Sequence, residues 1–127
     1  MLAVFKTKPF SRFARKAHIA DAVLWQAATL ANQGQVDADL GSGVLKLRIA
    51  RPGEGKSGGF RTILFFRQFE RAVFVFGFEK KDQANISAGE LEAFKELARV
   101  VLAYSQQELA KRVADGALIE IHMPRST

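Results

Sequence analysis

The chain has 127 residues, no cysteine, 48% hydrophobic residues and a formal net charge of +6. That length suits a single domain with a real core, and the missing cysteines exclude disulfides and thiolate-held zinc. No apolar run reaches the roughly 18 residues of a membrane-spanning helix, and residues 1–10 lack the long apolar centre of a signal peptide, so a cytoplasmic protein is expected.

The charge is unevenly spread. Residues 1–81 hold 14 Lys/Arg against 6 Asp/Glu, whereas residues 82–127 hold 5 against 7. A basic body with a mildly acidic end points to a polyanionic partner, nucleic acid first. The competing reading is a solvated, soluble surface.

Residues 2–6 read as a short strand. Lys8–Pro9 then opens a helix, because proline is favoured in a first turn. Phe10, Phe13, Ala14 and Ala17 recur at helical spacing, with Arg12, Arg15 and Lys16 on the other side. That basic face is either a solvated surface or a track for a phosphate backbone. Asp21 is the expected N-cap of a second helix ending near Gly34, with Val23, Leu24, Ala27, Leu30 and Ala31 as its buried stripe. The two helices form an αα-hairpin lying on a sheet face. Residues 37–43 are polar and glycine-rich, hence a loop. Residues 44–51 alternate cleanly, with Leu45, Leu47 and Ile49 facing one way and Lys46 and Arg48 the other.

The next loop, residues 52–59, contains a false lead. Ala50 followed by Gly55-Lys56-Ser57 fits a relaxed phosphate-binding loop, but a true one opens a helix whose amides cradle phosphate. Here Gly58-Gly59 leads into a strand rich in aromatic and β-branched residues, so a flexible hairpin loop with Lys56 at its tip is the better reading. Residues 60–67 and 72–79 are nearly continuous apolar strands, as expected of central strands covered on both faces. If their turn centres near Phe69, Arg61 lies opposite Phe78; a one-residue slip would change the face but not the convergence.

Ser87 and Glu90 form a capping box before the longest helix, flanked by Ile86 and Leu91. Leu91, Phe94, Leu97, Ala98, Val101, Leu102 and Ser105 continue one stripe. The helix runs to about residue 103 or, with a break, to 114, with Gln106-Gln107-Glu108 starting a separate short helix. Residues 117–121 add a strand or an extended segment, and a tail follows.

Three consecutive strands predict an α+β fold: a small antiparallel sheet with an N-terminal helical hairpin and a C-terminal helix packed on one face of it. One domain, residues 1–127, is expected, with a core over 2–104 and an extension over 105–127. In this topology Lys46, Arg48, Arg51, Lys56, Arg61, Lys80 and Lys81 gather along one edge of the sheet from three separate segments.

These residues also carry a family resemblance. Gly55-Lys56-Ser57-Gly58-Gly59-Phe60-Arg61-Thr62-Ile63, followed by Phe78-Glu79-Lys80-Lys81-Asp82-x-x-Asn85-Ile86-Ser87-x-x-Glu90, resembles the HigB-like branch of the RelE/ParE toxins. The resemblance spans roughly residues 4–102, including Phe5-Lys6-Thr7 and Asp37-x-Asp39-Leu40. It implies a RelE-like fold and a toxin of a bacterial type II toxin–antitoxin module. RelE-like members cut mRNA in the ribosomal A site. The implied partners are a cognate antitoxin of the helix-turn-helix type, the ribosome and mRNA. Operator DNA is reached only through the antitoxin, and no membrane and no cofactor or metal is expected.

Cutting RNA through its own 2′-OH requires deprotonating that hydroxyl, stabilising charge at phosphorus and protonating the leaving 5′-oxygen. The only histidines, His18 and His122, lie at a helix end and in the tail. A lysine and arginine cluster can do the work, since neighbouring cations favour the neutral form of a lysine. The resemblance places these roles on Lys46 and Arg48, Arg61, and Lys80 and Lys81. Arg61 is the expected phosphate clamp, Lys46 or Lys80 the base, and Lys81 or Arg48 a charge stabiliser or acid. Phe60 or Phe78 can stack on a splayed base, with Arg51 and Lys56 as further RNA contacts. Glu79 is either a second candidate base or the partner of a nearby arginine. Two features depart from the family pattern: Arg48 stands where a lysine is expected, and no C-terminal tyrosine matches the base-stacking one, since Tyr104 falls in a helical stripe. The alternatives are a ParE-like toxin acting on DNA gyrase and a non-catalytic RNA-binding module.

Overall fold

The computed structural model describes residues 2–51, 53 and 59–124. Lys56 and the loop glycines Gly55 and Gly58 lie outside them. The elements in order are β1 (Ala3–Thr7), α1 (Lys8–Lys16), α2 (Asp21–Asn32), β2 (Ala38–Asp39), β3 (Val44–Ile49), β4 (Phe60–Arg67), β5 (Arg71–Glu79), α3 (Ala88–Leu102), α4 (Gln106–Ala114) and β6 (Leu118–Ile121). No helix among the described residues is long and apolar enough to cross a membrane.

The strands form one sheet in the order β2-β3-β4-β5-β1-β6. It is antiparallel except where β1 runs parallel to β5. The expected α+β architecture is present, with one correction. The helices cover both faces, not one. Leu45, Leu47, Ile49, Phe60, Leu64 and Phe74 pack with Phe10 and Ala14 of α1 and Leu24, Ala28 and Ala31 of α2. Val44, Ile63, Phe65 and Val73 pack with Ala98, Val101 and Leu102 of α3 and Leu109 of α4. This is why β4 and β5 are apolar at almost every position: successive side chains point to opposite faces, and each face has its own helical cover.

Local signals place the helix ends. Thr7 caps α1 by accepting from the Phe10 amide, with Pro9 in the first turn. Ser87 and Glu90 close a capping box on α3, and Ser105 and Glu108 close a second on α4. Ser105 is therefore the start of α4, not the end of the α3 stripe, and Tyr104 sits between the two helices. Asp21 does not cap α2. Ala20 holds that position, and Asp21, one residue in, pairs with Lys6 of β1 at 2.7 Å. Residues 105–121 complete the sheet: β6 adds antiparallel to β1, and Leu118 and Ile121 enter the two cores. The loop expected at 37–43 contains the two-residue strand β2.

Two glycines mark close approaches. A Cβ at Gly77 would stand 2.2 Å from the Phe13 ring, so α1 lies directly on β5 there. A Cβ at Gly59 would stand 2.0 Å from the Ile49 carbonyl oxygen, where β3 and β4 converge on their connecting loop.

Candidate nucleic-acid interface

The sheet register builds the site. Arg48 lies directly opposite Arg61, and Lys46 opposite Ile63. Arg61 lies opposite Phe78, the expected partner, but through a bulge: the turn pairs Arg67 with Arg71, which alone would set Arg61 against Gly77, and an irregularity between the pairs Ile63–Phe76 and Leu64–Phe74 leaves Val75 as an extra residue. Ile63 belongs to the core under α3, so Lys46, Arg48 and Arg61 share the α3 face. That helix covers the Val44–Phe65 end of the face, whereas Arg48, farther along, is exposed and Lys46 half-buried.

Arg61 itself is buried, 6% exposed, and its Nη1 donates to the Gly59 carbonyl at 3.1 Å. Arginines directly opposite on neighbouring strands repel each other. The register sets a buried guanidinium and an exposed one side by side on the same face. The Asp37 carboxylate accepts from the Arg48 amide at 2.6 Å, which ties β2 to this rim.

Arg51, just past β3, turns to the other face. Its guanidinium pairs with Glu79 and lies 4.6 Å from the Phe60 ring centroid. Glu79 also holds Lys81 at 3.5 Å. The hydrogen bond from Arg51, reinforced by the charges of Arg51 and Lys81, holds the Glu79 carboxyl below the usual carboxylate range. Glu79 is thus an anchor for two cations, and a poor proton acceptor. Lys80, exposed, follows the end of β5. The segments named from the sequence do meet: β3, β4 and the end of β5 bring Lys46, Arg48, Arg51, Arg61, Lys80 and Lys81 to one end of the sheet.

Phe60 and Phe78 occupy different surroundings from those expected. Phe60 is 3% exposed, sandwiched between Arg51 and the edge-on ring of Phe13. Phe78 is 5% exposed and packs 5.8 Å from Phe76. Neither ring offers an open face to a base in this conformation; both are packing residues.

A cleft of about 520 Å³ opens beside this rim. Pairing of β1 with β5 stops at Phe74 because β1 turns into α1. The edge of β5 from Gly77 to Glu79 then faces the end of α1 across a gap lined by Phe13, Lys16, His18, Arg51, Phe60 and Glu79, among others. Lys16 and His18 were not associated with the rim in the sequence. They lie about sixty residues from β5 in the chain, and only the parallel β1–β5 pairing brings α1 there.

The fold is thus a small α+β sheet clad by helices on both faces, with a cation-rich rim at one end. A family model described as the RelE toxin of RelE / RelB toxin–antitoxin systems matches residues 2–121, and the chain belongs to this family, within the RelE/ParE toxins. It is a toxin of a toxin–antitoxin system, and membership implies a cognate antitoxin as partner. No curated protein matches the chain.

Proposed function

We propose that this toxin is a ribosome-dependent mRNA endonuclease of the HigB-like branch, acting in the cytoplasm and silenced by a helix-turn-helix antitoxin. The observation that carries this reading is the cross-strand pair Arg48–Arg61 with Lys46 on the same face. Guanidinium groups on adjacent strands offer donors that match the oxygens of one phosphate.

In the proposed reaction, Lys46 takes the proton of the 2′-OH. The 2′-oxygen attacks the adjacent phosphorus, forming a 2′,3′-cyclic phosphate as the bond to the 5′-oxygen breaks. Arg61 clamps the non-bridging oxygens in a bidentate manner as charge builds, and Arg48 adds a fixed charge because arginine is effectively always protonated. The leaving oxygen takes its proton from the ammonium of Lys80. Lys81, held by Glu79, stabilises charge at the rim.

The test is primer extension on a reporter mRNA in a reconstituted translation system, with wild type and Arg61→Ala. Cuts within codons that need the ribosome and vanish in the variant are expected. Toxicity on expression without any cut by the wild type would overturn the reading and turn the search to a protein target such as DNA gyrase.

A further inference from the structure

The outer face of α1 has no role in this chemistry, yet its charges are all of one sign. The helix, KPFSRFARK, carries four cations and no acid. Lys8, Arg12, Arg15 and Lys16 are all exposed, and none is in an ion pair among the described residues. Two nearby carboxylates are committed elsewhere, while Asp82 lines the cleft at the Lys16 end. Asp21 is taken by Lys6. Glu120 of β6 pairs in register with Phe5, which belongs to the core under α3 and α4, so it points to the opposite face.

Two cavities border this face, one at each end, and one of them reaches the rim. Lys8, Ser11, Arg12 and Arg15 line a groove of about 360 Å³ against Gly116 and Ile119. At the other end of the helix, Lys16 lines the larger cleft together with Arg51, whose partner Glu79 holds Lys81 of the rim. Cations therefore recur from Lys80 and Lys81 over the strand ends, past the cleft, where Glu79 and Asp82 also stand, and along about 12 Å of helix from Lys16 to Lys8.

We infer that α1 is an extended substrate-binding surface, tracking the phosphate backbone of the same single RNA strand whose scissile phosphate sits at Arg48 and Arg61. An RNA strand fits better than an acidic peptide. The cations follow one another along the helix on one face, which suits a repeating charged backbone. The inference rests on the RNA reading of the rim, so its test reads binding and not cleavage.

The probes are 2′-O-methyl RNA oligonucleotides, which keep the anionic backbone but lack the attacking hydroxyl, of about 4 and about 16 nucleotides. Their affinity is measured by fluorescence anisotropy against salt concentration. For the longer probe, Arg12→Gln/Arg15→Gln is expected to make the dependence of log K on log salt shallower by about 1.4, the contribution of two phosphate contacts to a single strand. The charge-matched pair Arg99→Gln/Lys111→Gln should leave the slope unchanged, and Arg12→Lys/Arg15→Lys should restore it. The shorter probe, filling only the rim, should not distinguish wild type from the α1 variant.

Equal slopes for the α1 and control pairs would reduce the effect to net charge and overturn the inference. So would an unchanged oligonucleotide slope in a variant that binds ribosomes, or a poly-glutamate peptide, more weakly. Length-dependent binding through α1 without cleavage by wild type on ribosomes would sink the nuclease reading and leave the strand path standing. Cleavage without the slope change would do the reverse.

Discussion

The β4–β5 hairpin has two ends that look alike in sequence and differ in what surrounds them. At the turn, Arg67 faces Arg71 across the hairpin; at the other end, Arg61 faces Arg48 across β3 and β4. Both inner arginines are buried, at 8% for Arg71 and 6% for Arg61. Arg71 donates to the Val101 and Leu102 carbonyls at 2.9 and 3.3 Å, where the last turn of α3 lacks intrahelical partners. Burial and the neighbouring Arg67 lower its pKa, while Glu70 works the other way. The tip beyond is fastened too: the Phe69 amide and the Gln68 side chain both donate to Asn32 at the end of α2. The turn end is thus closed by protein. The Arg61 end lies beyond the cover of α3, beside a cleft and amid cations from three segments. The same residue type serves as a helix cap at one end and as a candidate anion clamp at the other, and only the surrounding elements distinguish the two.

The contrast predicts a crossing of effects. Arg61→Ala should lower cleavage by about 10²–10³-fold, the scale of losing one preorganised charge-stabilising donor, a loss far larger than the shift in the denaturation midpoint accounts for. Arg71→Met should do the opposite. It strips the α3 carbonyls of their donor, lowering stability by about 2 kcal/mol, with cleavage per folded molecule kept. Urea denaturation alongside primer extension checks both. If Arg71→Met removed cleavage from fully folded protein, the two ends would not be separate in function.

Smaller effects sharpen the same division. Gly77→Ala places a methyl group against the Phe13 ring and should cost about 1–3 kcal/mol by forcing α1 off β5. Because α1 forms one wall of the cleft, it should also weaken RNA binding in the folded protein. Ser87→Ala removes a cap far from the rim and should cost about 1 kcal/mol with no change in binding. Thermal melting and anisotropy separate the pair.

The last expectation concerns pH. The folded-state carboxyl of Glu79 is depressed by Arg51 and Lys81. Its contribution is therefore present above the ordinary glutamate value and lost as pH falls through the lower, folded-state one. Carboxyl-detected NMR should show Glu79 ionised below the usual glutamate midpoint of about 4.3, and Arg51→Gln should return it toward that value. A midpoint above the usual one would restore Glu79 as a candidate base.

Much of the fold is written in local patterns. The capping box at Ser87, the proline at the start of α1 and the turn near Phe69 are short-range signals, and each lies where the residues alone place it. The gathering of Lys46, Arg48, Arg51, Arg61, Lys80 and Lys81 followed from antiparallel connectivity, since a hairpin must return its strand to the end where the first began. The aromatic residues were harder. A phenylalanine beside an arginine reads equally well as a base-stacking platform or as core, and the difference is decided by what packs over it. For Phe60 that is Phe13 and Arg51, from elsewhere in the chain.

By itself, the sequence determined the elements, the central hairpin, the meeting of its cations and the family, because propensity, capping and strand return act over short separations. Tertiary structure decided what distant segments do to one another. The parallel pairing of β1 with β5 carries α1 to the cleft and sets Lys16 beside Arg51. The extra residue at Val75 puts Phe78 opposite Arg61, and the end of α3 closes over Arg71 while leaving Arg48 exposed. Those outcomes depend on which surfaces bury each other across the sheet, and apolar burial is non-directional: it requires that the faces be covered without specifying by which helix.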